Sequence, residues 1–412
     1  MHVLVTAVGQ RTEHWTELFE ALCERPGVEL TVLVADVTDV TREELARLAR
    51  RHRRMHYQVL PYLLGERRTG HMASVLFGPG FGAVAVPRPD VVHVIGEAAY
   101  LSTWQVVRLC RRRWPTTPLT LYAAQNIVMR FPQPFPLLER RAYQAVSHVF
   151  PITPAALDVL RVKGYRGDAT IVPLGVDGNR FQPRPTPPST GAFTAGFVGR
   201  LEQHKGLPDL LRAAELIDCD LLLIGEGSLR PLVEEAARRR PGRVVLHGWT
   251  EHRNLPALLA RMSALVLPSV ELIQRNVLPW IGIPLREQFG RVLVEAMACG
   301  VPVVGSDVGE IRHVIGAAGL IFPPGDPVAL ADRLGRLRDH PDLAAELSAR
   351  GVDRVCEEFT WDQIAHRMYD IWTNLLTARQ PDAPGPTSVA RDTPVTLAAR
   401  QVGPANREAK TS

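Results

Sequence analysis

Short apolar runs alternate with segments of helical periodicity along most of this 412-residue chain. The first run begins at His2, an amphipathic stretch from Trp15 to Cys23 follows it, and further apolar runs begin at Glu29 and Val91. Alternation of this kind is typical of βαβ units, in which helices connect parallel strands. We therefore expect an α/β fold with parallel sheets, and the length suggests two domains.

A segment rich in proline and small residues, Val176 to Gly191, divides the alternation into two halves. Such a composition is typical of a linker, and a new strand pattern follows it. In doubly wound sheets ligands bind beyond the carboxyl ends of the strands, so the two halves are expected to enclose a cleft. We predict an N-terminal domain at residues 1–180, a linker at 181–191 and a C-terminal domain at 192–356. A packed terminal helix at 357–378 and a disordered tail at 380–412 are expected to follow.

The composition predicts a soluble protein of the cytoplasm. Hydrophobic residues make up 46% of the chain and charged residues 22%, which is typical of a globular protein. The cysteines are scattered, odd in number and without metal-site spacing, so free thiols in a reducing compartment are expected. No run of apolar residues is long enough to span a membrane, and a strand pattern that begins at once predicts no signal peptide.

Residues 41–70 concentrate positive charge in a chain whose net charge is only +5. Three interpretations compete: a solvated helix face, a seat on anionic lipid at the inner face of the membrane, and a nucleic-acid surface. No aromatic residues are interleaved with the arginines, so nucleic acid is not an expected partner. Leu45, Leu48 and Met55 form only a thin apolar stripe, which favours the solvated face over peripheral membrane contact. The arginines are Arg42, Arg47, Arg50, Arg51, Arg53, Arg54, Arg67 and Arg68.

Two glutamates, Glu287 and Glu295, flank seven residues in which Gly290 opens a predicted helix. The N–H groups at a helix start favour phosphate oxygens. Eight residues of helix rise about 12 Å, so carboxylates at both ends would contact the two ends of a long ligand. A sugar nucleotide fits, with sugar hydroxyls at one end and ribose hydroxyls at the other. A buried amphipathic helix with two surface glutamates is the simpler alternative.

A loop with two cations, Arg200 and Lys205, follows the first strand pattern of the second half. Preorganised cations stabilise the negative charge that develops on a departing diphosphate. A positively charged surface turn is the alternative. Later strand ends carry small or aromatic residues. Among them Trp249 is either a candidate to lie against a nucleobase or a residue packed in the core.

These segments together resemble the retaining GT-B glycosyltransferases of family 4, the glycosyltransferase group 1 families. The resemblance covers most of the second domain and is looser in the first. It implies two Rossmann-like domains around a cleft and transfer of a hexose from a UDP- or GDP-sugar to an acceptor hydroxyl with retained configuration. The motifs that carry it are GFVGRLEQHKG, LLLIGEGSLRPLVEEA, VVLHGW, LVLPS, EQFGRVLVEAMACGVPVVGSDVGEI and, before them, IVPLGVDGNRF.

The resemblance also implies roles for single residues. Arg200 and Lys205 would neutralise the diphosphate, and Glu287 would contact the donor sugar, so these three are the catalytic candidates. Glu295 would hold the ribose. Backbone groups of Phe289, Gly290 and Arg291 would lie against the sugar and phosphates, and Trp249 completes the predicted donor site.

The first domain departs from the family pattern in two places. Val8 to Thr12 lacks the paired glycines of many relatives, and Gln125 and Asn126 stand where many have a histidine. The acceptor-side candidates are therefore His14, Glu97, Gln125 and Asn126. A longer segment at 270–286, with Trp280 and Arg286, is expected to shape the sugar or acceptor pocket.

No metal ion or tightly bound cofactor is expected, because no Asp-x-Asp pair lies near the predicted phosphate site. Four other functions are weighed. A glycoside hydrolase needs its carboxylates about 5 to 10 Å apart, closer than the helix rise predicts, and a nicotinamide oxidoreductase needs a glycine-rich turn that the first strand lacks. A sugar-nucleotide epimerase on the same fold and a non-catalytic nucleotide-sugar-binding protein stay open.

Overall fold

Two α/β domains make up the computed structural model, which describes residues 1–65, 72–129, 131–183, 192–275 and 282–378. Each domain is built on a six-stranded parallel sheet. Most of the predicted linker, the predicted disordered tail and Trp280 lie outside the described residues.

The N-terminal domain has helices packed on both faces of its sheet. Its strands are β1 (His2–Val8), β2 (Glu29–Ala35), β3 (Met55–Leu60), β4 (Tyr62–Leu64), β5 (Leu76–Phe77), β6 (Val91–Ile95), β7 (Leu119–Ala123) and β8 (His148–Pro151). Its helices are α1 (Thr16–Cys23), α2 (Asp39–Arg51), α3 (Leu101–Arg113), α4 (Phe135–Ala145) and α5 (Pro154–Val162). Successive residues of β1 enter different core clusters, with Val3 and Val5 on one face and Leu4 on the other. This sheet is therefore buried on both faces, as parallel sheets usually are.

The C-terminal domain repeats the architecture. Its strands are β9 (Thr194–Val198), β10 (Asp220–Ile224), β11 (Val244–Gly248), β12 (Ala264–Leu267), β13 (Leu272–Arg275), β14 (Gly282–Leu285), β15 (Val303–Ser306) and β16 (Gly319–Phe322). Its helices are α6 (Leu207–Leu216), α7 (Arg230–Arg239), α8 (Leu255–Leu259), α9 (Arg291–Ala298), α10 (Ile311–Ile315), α11 (Pro327–Asp339), α12 (Pro341–Arg354) and α13 (Trp361–Thr377).

The two sheets have equivalent strand orders. The first runs β3-β2-β1-β6-β7-β8 and the second runs β11-β10-β9-β12-β15-β16. When the strands of the small hairpins are left out of the numbering, each order corresponds to the 3-2-1-4-5-6 order of a Rossmann sheet. In this order successive strands are added first on one side of the first strand and then on its other side. A crevice for a ligand therefore opens beyond the carboxyl ends of β1 and β6 in one sheet, and of β9 and β12 in the other.

Strands β13 and β14, on either side of residues 276–281, pair in antiparallel fashion as a hairpin outside the second sheet. At its base the Arg286 guanidinium lies 2.9 Å from the Glu271 carboxylate. This ion pair joins the two ends of the hairpin.

The chain crosses back to the N-terminal domain near its end. The Val176 N–H donates to the carbonyl of Phe359, and the Trp361 N–H donates to the carbonyl of Val176. Helix α13 then packs against α1, and its Trp372 indole N–H donates to Thr120 in β7. The predicted terminal helix is thus part of the N-terminal domain's core, although it follows the second domain in sequence.

The apolar stripe predicted for the arginine-rich segment is part of the core. Leu45, Leu48 and Met55 are almost completely buried, so these three side chains offer no apolar surface to a membrane. The reason is that Leu45 and Leu48 of α2 pack onto the first sheet, and Met55 begins strand β3 of that sheet. Exposed apolar side chains instead lie on β4, where Leu63 is 59% exposed. No helix in the described part of the chain is long and apolar enough to cross a membrane.

A fully buried histidine lies at the centre of the first sheet. The Nδ1 atom of His93 is 2.9 Å from the Thr120 hydroxyl, and the rings of Tyr122, Phe150 and Trp372 surround the imidazole. Burial lowers the pKa of His93 to about 3. The folded protein therefore holds this imidazole neutral, because no carboxylate within the described residues pairs with it.

We predict that His93 makes the fold sensitive to acid. Between pH 6.5 and pH 3 only the unfolded chain protonates this residue, so stability is lost as the pH falls. From pH 7 to pH 5 the loss is about 2 kcal/mol. Chemical denaturation at pH 7 and at pH 5 measures the free energy of unfolding. Between these pH values it should fall by about 2 kcal/mol less in a His93→Gln variant than in wild type. His56→Gln, at an exposed position, should behave as wild type, and an unchanged drop in His93→Gln would contradict the prediction.

Candidate active site

Four loops of the C-terminal domain meet at the carboxyl edge of its sheet. They follow β9, β10, β11 and β12, and direct backbone hydrogen bonds connect them. The Gly199 N–H donates to Ile224, and the Gly225 N–H donates to Gly248. A Cβ atom on Gly225 would lie 1.9 Å from the Gly199 carbonyl oxygen, so glycine is required where these two loops touch. The loops thus form one continuous wall.

Lys205 and Glu287 form an ion pair at this wall. The Lys205 Nζ atom lies 2.5 Å from Glu287 Oε2, and the Ser269 hydroxyl donates to the same oxygen at 3.0 Å. The side chains of Lys205 and Glu287 are only 15% and 12% exposed. The sequence thus identified both members of this pair, whereas nothing in it indicated that they contact each other.

Arg200 is exposed on the loop after β9. Its charge reaches the neighbouring His204, whose pKa is lowered first by burial and then by Lys205 and Arg200. Two cations therefore act on one short loop, and only Lys205 has a carboxylate beside it at ion-pair distance among the described residues. This arrangement favours an anion in front of the loop.

Glu287 lies before the helix. Helix α9 begins at Arg291 with Gly290 as its N-cap, so only Glu295 of the two glutamates is helical. The helix rise therefore does not give the distance between the two carboxylates, because residues 287–290 are not helical. The reasoning that led to 12 Å is wrong. The two carboxylates nevertheless contact different partners, since Glu287 pairs with Lys205 and Glu295 does not.

The start of α9 is packed closely against β12. Gly290 has a φ of +80°, and a Cβ atom there would lie 2.8 Å from the Leu267 side chain. No side chain in the described part of the chain caps this helix end. The Phe289 ring is buried at 5.9 Å from the Phe359 ring, so the part of Phe289 left for a ligand is its backbone. Glycine is thus required here by both conformation and space.

Glu295 is buried and surrounded by nitrogen atoms. His252 Nε2 lies 2.8 Å from Glu295 Oε1, and Arg291 Nε lies 3.1 Å from the same oxygen. Burial raises the pKa of Glu295, but the His252 hydrogen bond and the charges of Arg291 and His14 outweigh it, so the pKa lies below its ordinary value. The carboxylate is ionised at neutral pH. The alternative of two surface glutamates is wrong, since Glu295 is 5% exposed.

Trp249 is at the far end of the wall, on the loop after β11. It is 70% exposed, so it is not a core residue. Its backbone N–H donates to the Glu226 carboxylate on the neighbouring loop, which fixes the start of the turn. A large indole face is therefore open to a flat ligand.

The four acceptor-side candidates of the N-terminal domain fall into three places. Asn126 donates its amide to the Glu287 carbonyl at 2.9 Å and lies at the lysine end of the site. His14 is exposed and acts electrostatically on Glu295, at the other end. Glu97 and Gln125 belong to an internal polar cluster, in which Glu97 accepts the Ala124 N–H and Gln125 accepts from Lys163. Burial raises the pKa of Glu97.

The sequence did not point to several residues that complete the site. Ser269 and Glu310 contact Glu287, and Glu310 also reaches the start of α5 in the other domain through Thr153. His252 follows Trp249 by three residues, and its place after a strand-end loop is a pattern that could have identified it. For Glu17 in α1 no such pattern exists, because its partners are distant in the sequence.

Part of the chain matches a known protein family. Residues 192–340 match the family described as Glycosyl transferases group 1. D-inositol 3-phosphate glycosyltransferase of Xylanimonas cellulosilytica is 32% identical over 251 residues, which is 55% of this chain and 56% of that protein. The chain spans about half the length of the curated relatives that it matches first.

Solved structures share the fold over both domains. Sucrose-phosphate synthase of Thermosynechococcus elongatus superposes with a TM-score of 0.69 at 21% identity, covering 92% of this chain and 100% of the other. HepE of Anabaena, solved in complex with UDP-glucose, gives a TM-score of 0.65 at 18% identity, with 91% and 100% covered. The chain thus has the GT-B fold of two Rossmann-like domains, and its residues 192–340 match the family of Glycosyl transferases group 1.

Proposed function

We propose that this chain is a retaining glycosyltransferase that moves a hexose from a UDP- or GDP-sugar to an acceptor hydroxyl. The observation that carries the proposal is the Lys205–Glu287 pair beside Arg200 at the switch point of the second sheet. It provides cations for a diphosphate and, directly beside them, a carboxylate for sugar hydroxyls. The group 1 domain and the UDP-glucose complex of HepE support this choice of ligand.

The proposed reaction exchanges one bond at the anomeric carbon for another on the same face. The bond to the diphosphate oxygen breaks, a bond to the acceptor oxygen forms, and the acceptor proton passes to the departing phosphate. No protein nucleophile is then required. Catalysis comes from positioning and from charge stabilisation by Arg200 and Lys205.

The other donor contacts follow from the same wall. Glu287 would accept a sugar hydroxyl, Glu295 a ribose hydroxyl, and the exposed Trp249 indole would stack on the nucleobase. The backbone at Gly290 would lie against the phosphates. Asn126 is the acceptor-side candidate nearest to the sugar, because it already contacts the backbone of Glu287.

One assay separates this proposal from its two alternatives. A thermal-shift screen of UDP-, GDP- and ADP-sugars identifies the donor, because a ligand that binds the native state raises its stability. The donor is then incubated alone and with pooled lipid, glycan and small-molecule acceptors. Acceptor-dependent release of nucleoside diphosphate is the expected result. An epimerised nucleotide sugar would instead indicate an epimerase, and binding without turnover a non-catalytic protein.

We expect Lys205→Ala and Arg200→Ala each to reduce turnover about a hundredfold. Loss of one preorganised group that stabilises developing charge costs on the order of 3 kcal/mol. Initial rates of nucleoside diphosphate release at saturating donor measure the effect. Arg212→Ala on α6 removes an exposed cation whose ion pair among the described residues is with Glu215, three positions along the same helix, so it should keep the wild-type rate.

Stability has to be measured on the same variants. Lys205→Ala leaves the poorly exposed Glu287 carboxylate without its cation, and loss of one partner of a buried pair is destabilising. The double variant Lys205→Ala, Glu287→Gln removes that unpaired charge. If it regains the wild-type melting temperature and is still slower than the single variant Glu287→Gln, the catalytic role of Lys205 holds. A wild-type rate in Lys205→Ala or Arg200→Ala would rule that role out.

We also propose that the reaction needs no metal ion, with Arg200 and Lys205 in place of a cation at the diphosphate. Among the described residues, the group of side chains spaced to hold an ion is Glu20, Glu24 and His52, which belongs to the N-terminal domain. Full activity is expected after dialysis against excess chelator. Loss of activity that added Mg²⁺ or Mn²⁺ restores would contradict this.

A peripheral contact with anionic lipid at the inner face of the membrane is a further part of the proposal. Arg50, Arg53 and Arg54 are exposed and make no ion pair within the described residues, while Leu63 on β4 supplies exposed apolar surface. Arg67 and Arg68 of the same charged segment lie outside those residues.

Vesicle co-sedimentation checks the membrane contact. The protein should sediment with vesicles that contain phosphatidylserine and stay in solution with phosphatidylcholine alone, because the attraction is electrostatic. Two variants should weaken binding to these vesicles: the single substitution Leu63→Ser, and the double variant that carries Arg53→Ala and Arg54→Ala. Leu216→Ser, at an exposed leucine of the other domain, should not. Equal sedimentation with phosphatidylserine-containing vesicles and with phosphatidylcholine vesicles would contradict an electrostatic contact with the membrane.

A further inference from the structure

The Glu17 carboxylate of α1 joins elements from three parts of the chain. Arg180 Nη1 and the Trp361 indole N–H each donate to it at 2.8 Å, and Arg291 Nη2 donates at 3.1 Å. The side chain of Glu17 is 13% exposed. This carboxylate therefore binds the end of the first domain, the start of the returning helix α13 and the first residue of α9.

His252 is held in one tautomer within the same cluster. Arg180 Nη1 lies 3.3 Å from His252 Nδ1, and a guanidinium N–H can only donate. Nδ1 is therefore the acceptor, and the ring proton is on Nε2, from which it is donated to Glu295 at 2.8 Å. Glu17 lies 3.8 Å from Nδ1 and holds Arg180 in place.

Two routes thus lead from Glu17 to Glu295. One passes through Arg291, whose Nη2 contacts Glu17 and whose Nε contacts Glu295. The other passes through Arg180 and His252. Both routes end on the same oxygen of Glu295, Oε1, where His252 donates a hydrogen bond and Arg291 lies at ion-pair distance, so the carboxylate is held in direction.

We infer that Glu17 is a positioning residue for the ribose of the donor. It lies in the acceptor-side domain, yet through Arg291 and His252 it sets the orientation in which the Glu295 carboxylate receives a ribose hydroxyl. The inference rests on the proposed function. It adds that the N-terminal domain takes part in recognition of the nucleoside, through Glu17 and Arg180, which contact Arg291 and His252, and through the charge of His14.

The test measures the value of a single ribose hydroxyl. Isothermal titration calorimetry compares whichever of UDP, GDP and ADP binds with its 2′-deoxy and 3′-deoxy forms. In wild type, removal of the hydroxyl that contacts Glu295 should weaken binding about tenfold, as expected for a hydrogen bond to a charged group. In Glu17→Gln the ratio should fall to about threefold or less, because Glu295 is no longer held in direction.

This ratio separates positioning from a merely structural role. If Glu17 only joined the domains, the variant would weaken binding of the ribose and deoxyribose ligands equally, and the unchanged ratio would overturn the inference. Glu20→Gln is the matched control, because it breaks ion pairs of the same helix with Arg47 and Arg51 that stay within one domain. It should keep the tenfold ratio.

A second variant covers the case in which Glu17→Gln does not fold. His252→Ala interrupts the route from Glu17 through Arg180 to Glu295. His252 is partly exposed, and its loss should also lower the ratio of the affinities for the ribose and deoxyribose ligands. Glu295→Gln tests the underlying assignment. If wild type binds no nucleoside diphosphate, or if Glu295→Gln keeps the tenfold ratio, the proposed donor site itself is wrong. If Glu295→Gln loses the ratio while Glu17→Gln and His252→Ala keep it, only the positioning inference fails.

Discussion

Burial of the Glu295 carboxylate between the two domains is the constraint on which the cleft depends. A buried carboxylate is costly unless N–H donors and cations satisfy it. Arg291 and His252 supply these, and Glu17 of the other domain binds Arg291 directly and His252 through Arg180. The Trp361 indole donates to the same Glu17 carboxylate, so the return of the chain to the first domain is part of the same network. Separation of the domains at this edge would therefore leave several buried charges without partners.

The strand pattern predicted the parallel sheets well, because a strand buried on both faces must be a short run of apolar residues. The small hairpins were not predictable, since β4 and β5 have too few residues for any periodicity. The destination of α13 was not predictable either. Its apolar stripe requires a partner surface, but the stripe fits either domain equally well, and only the contacts of Trp361 and Trp372 decide between them.

The candidate site divides in the same way. Arg200, Lys205 and Glu287 were identifiable because strand-end loops of one sheet meet at one edge, whatever their separation in sequence. Glu17 was not, because its contact with Arg291 joins residues of different domains and depends on how the domains close. The helix-rise argument failed for a local reason. Gly290 requires a positive φ, which ends helical geometry there and places Glu287 in a loop.

The Lys205–Glu287 pair explains how a site can be ready for an anion and still contain a carboxylate. An ammonium group has three N–H donors, and the contact with Glu287 Oε2 uses one of them. A phosphate oxygen can therefore bind Lys205 while the ion pair persists. Ser269 holds the same Oε2 atom, so the orientation of Glu287 does not depend on a ligand. In the proposed reaction one lysine would contact both the phosphate and the carboxylate assigned to the sugar hydroxyl, so the two sides of the bond to be broken would be fixed relative to each other before reaction.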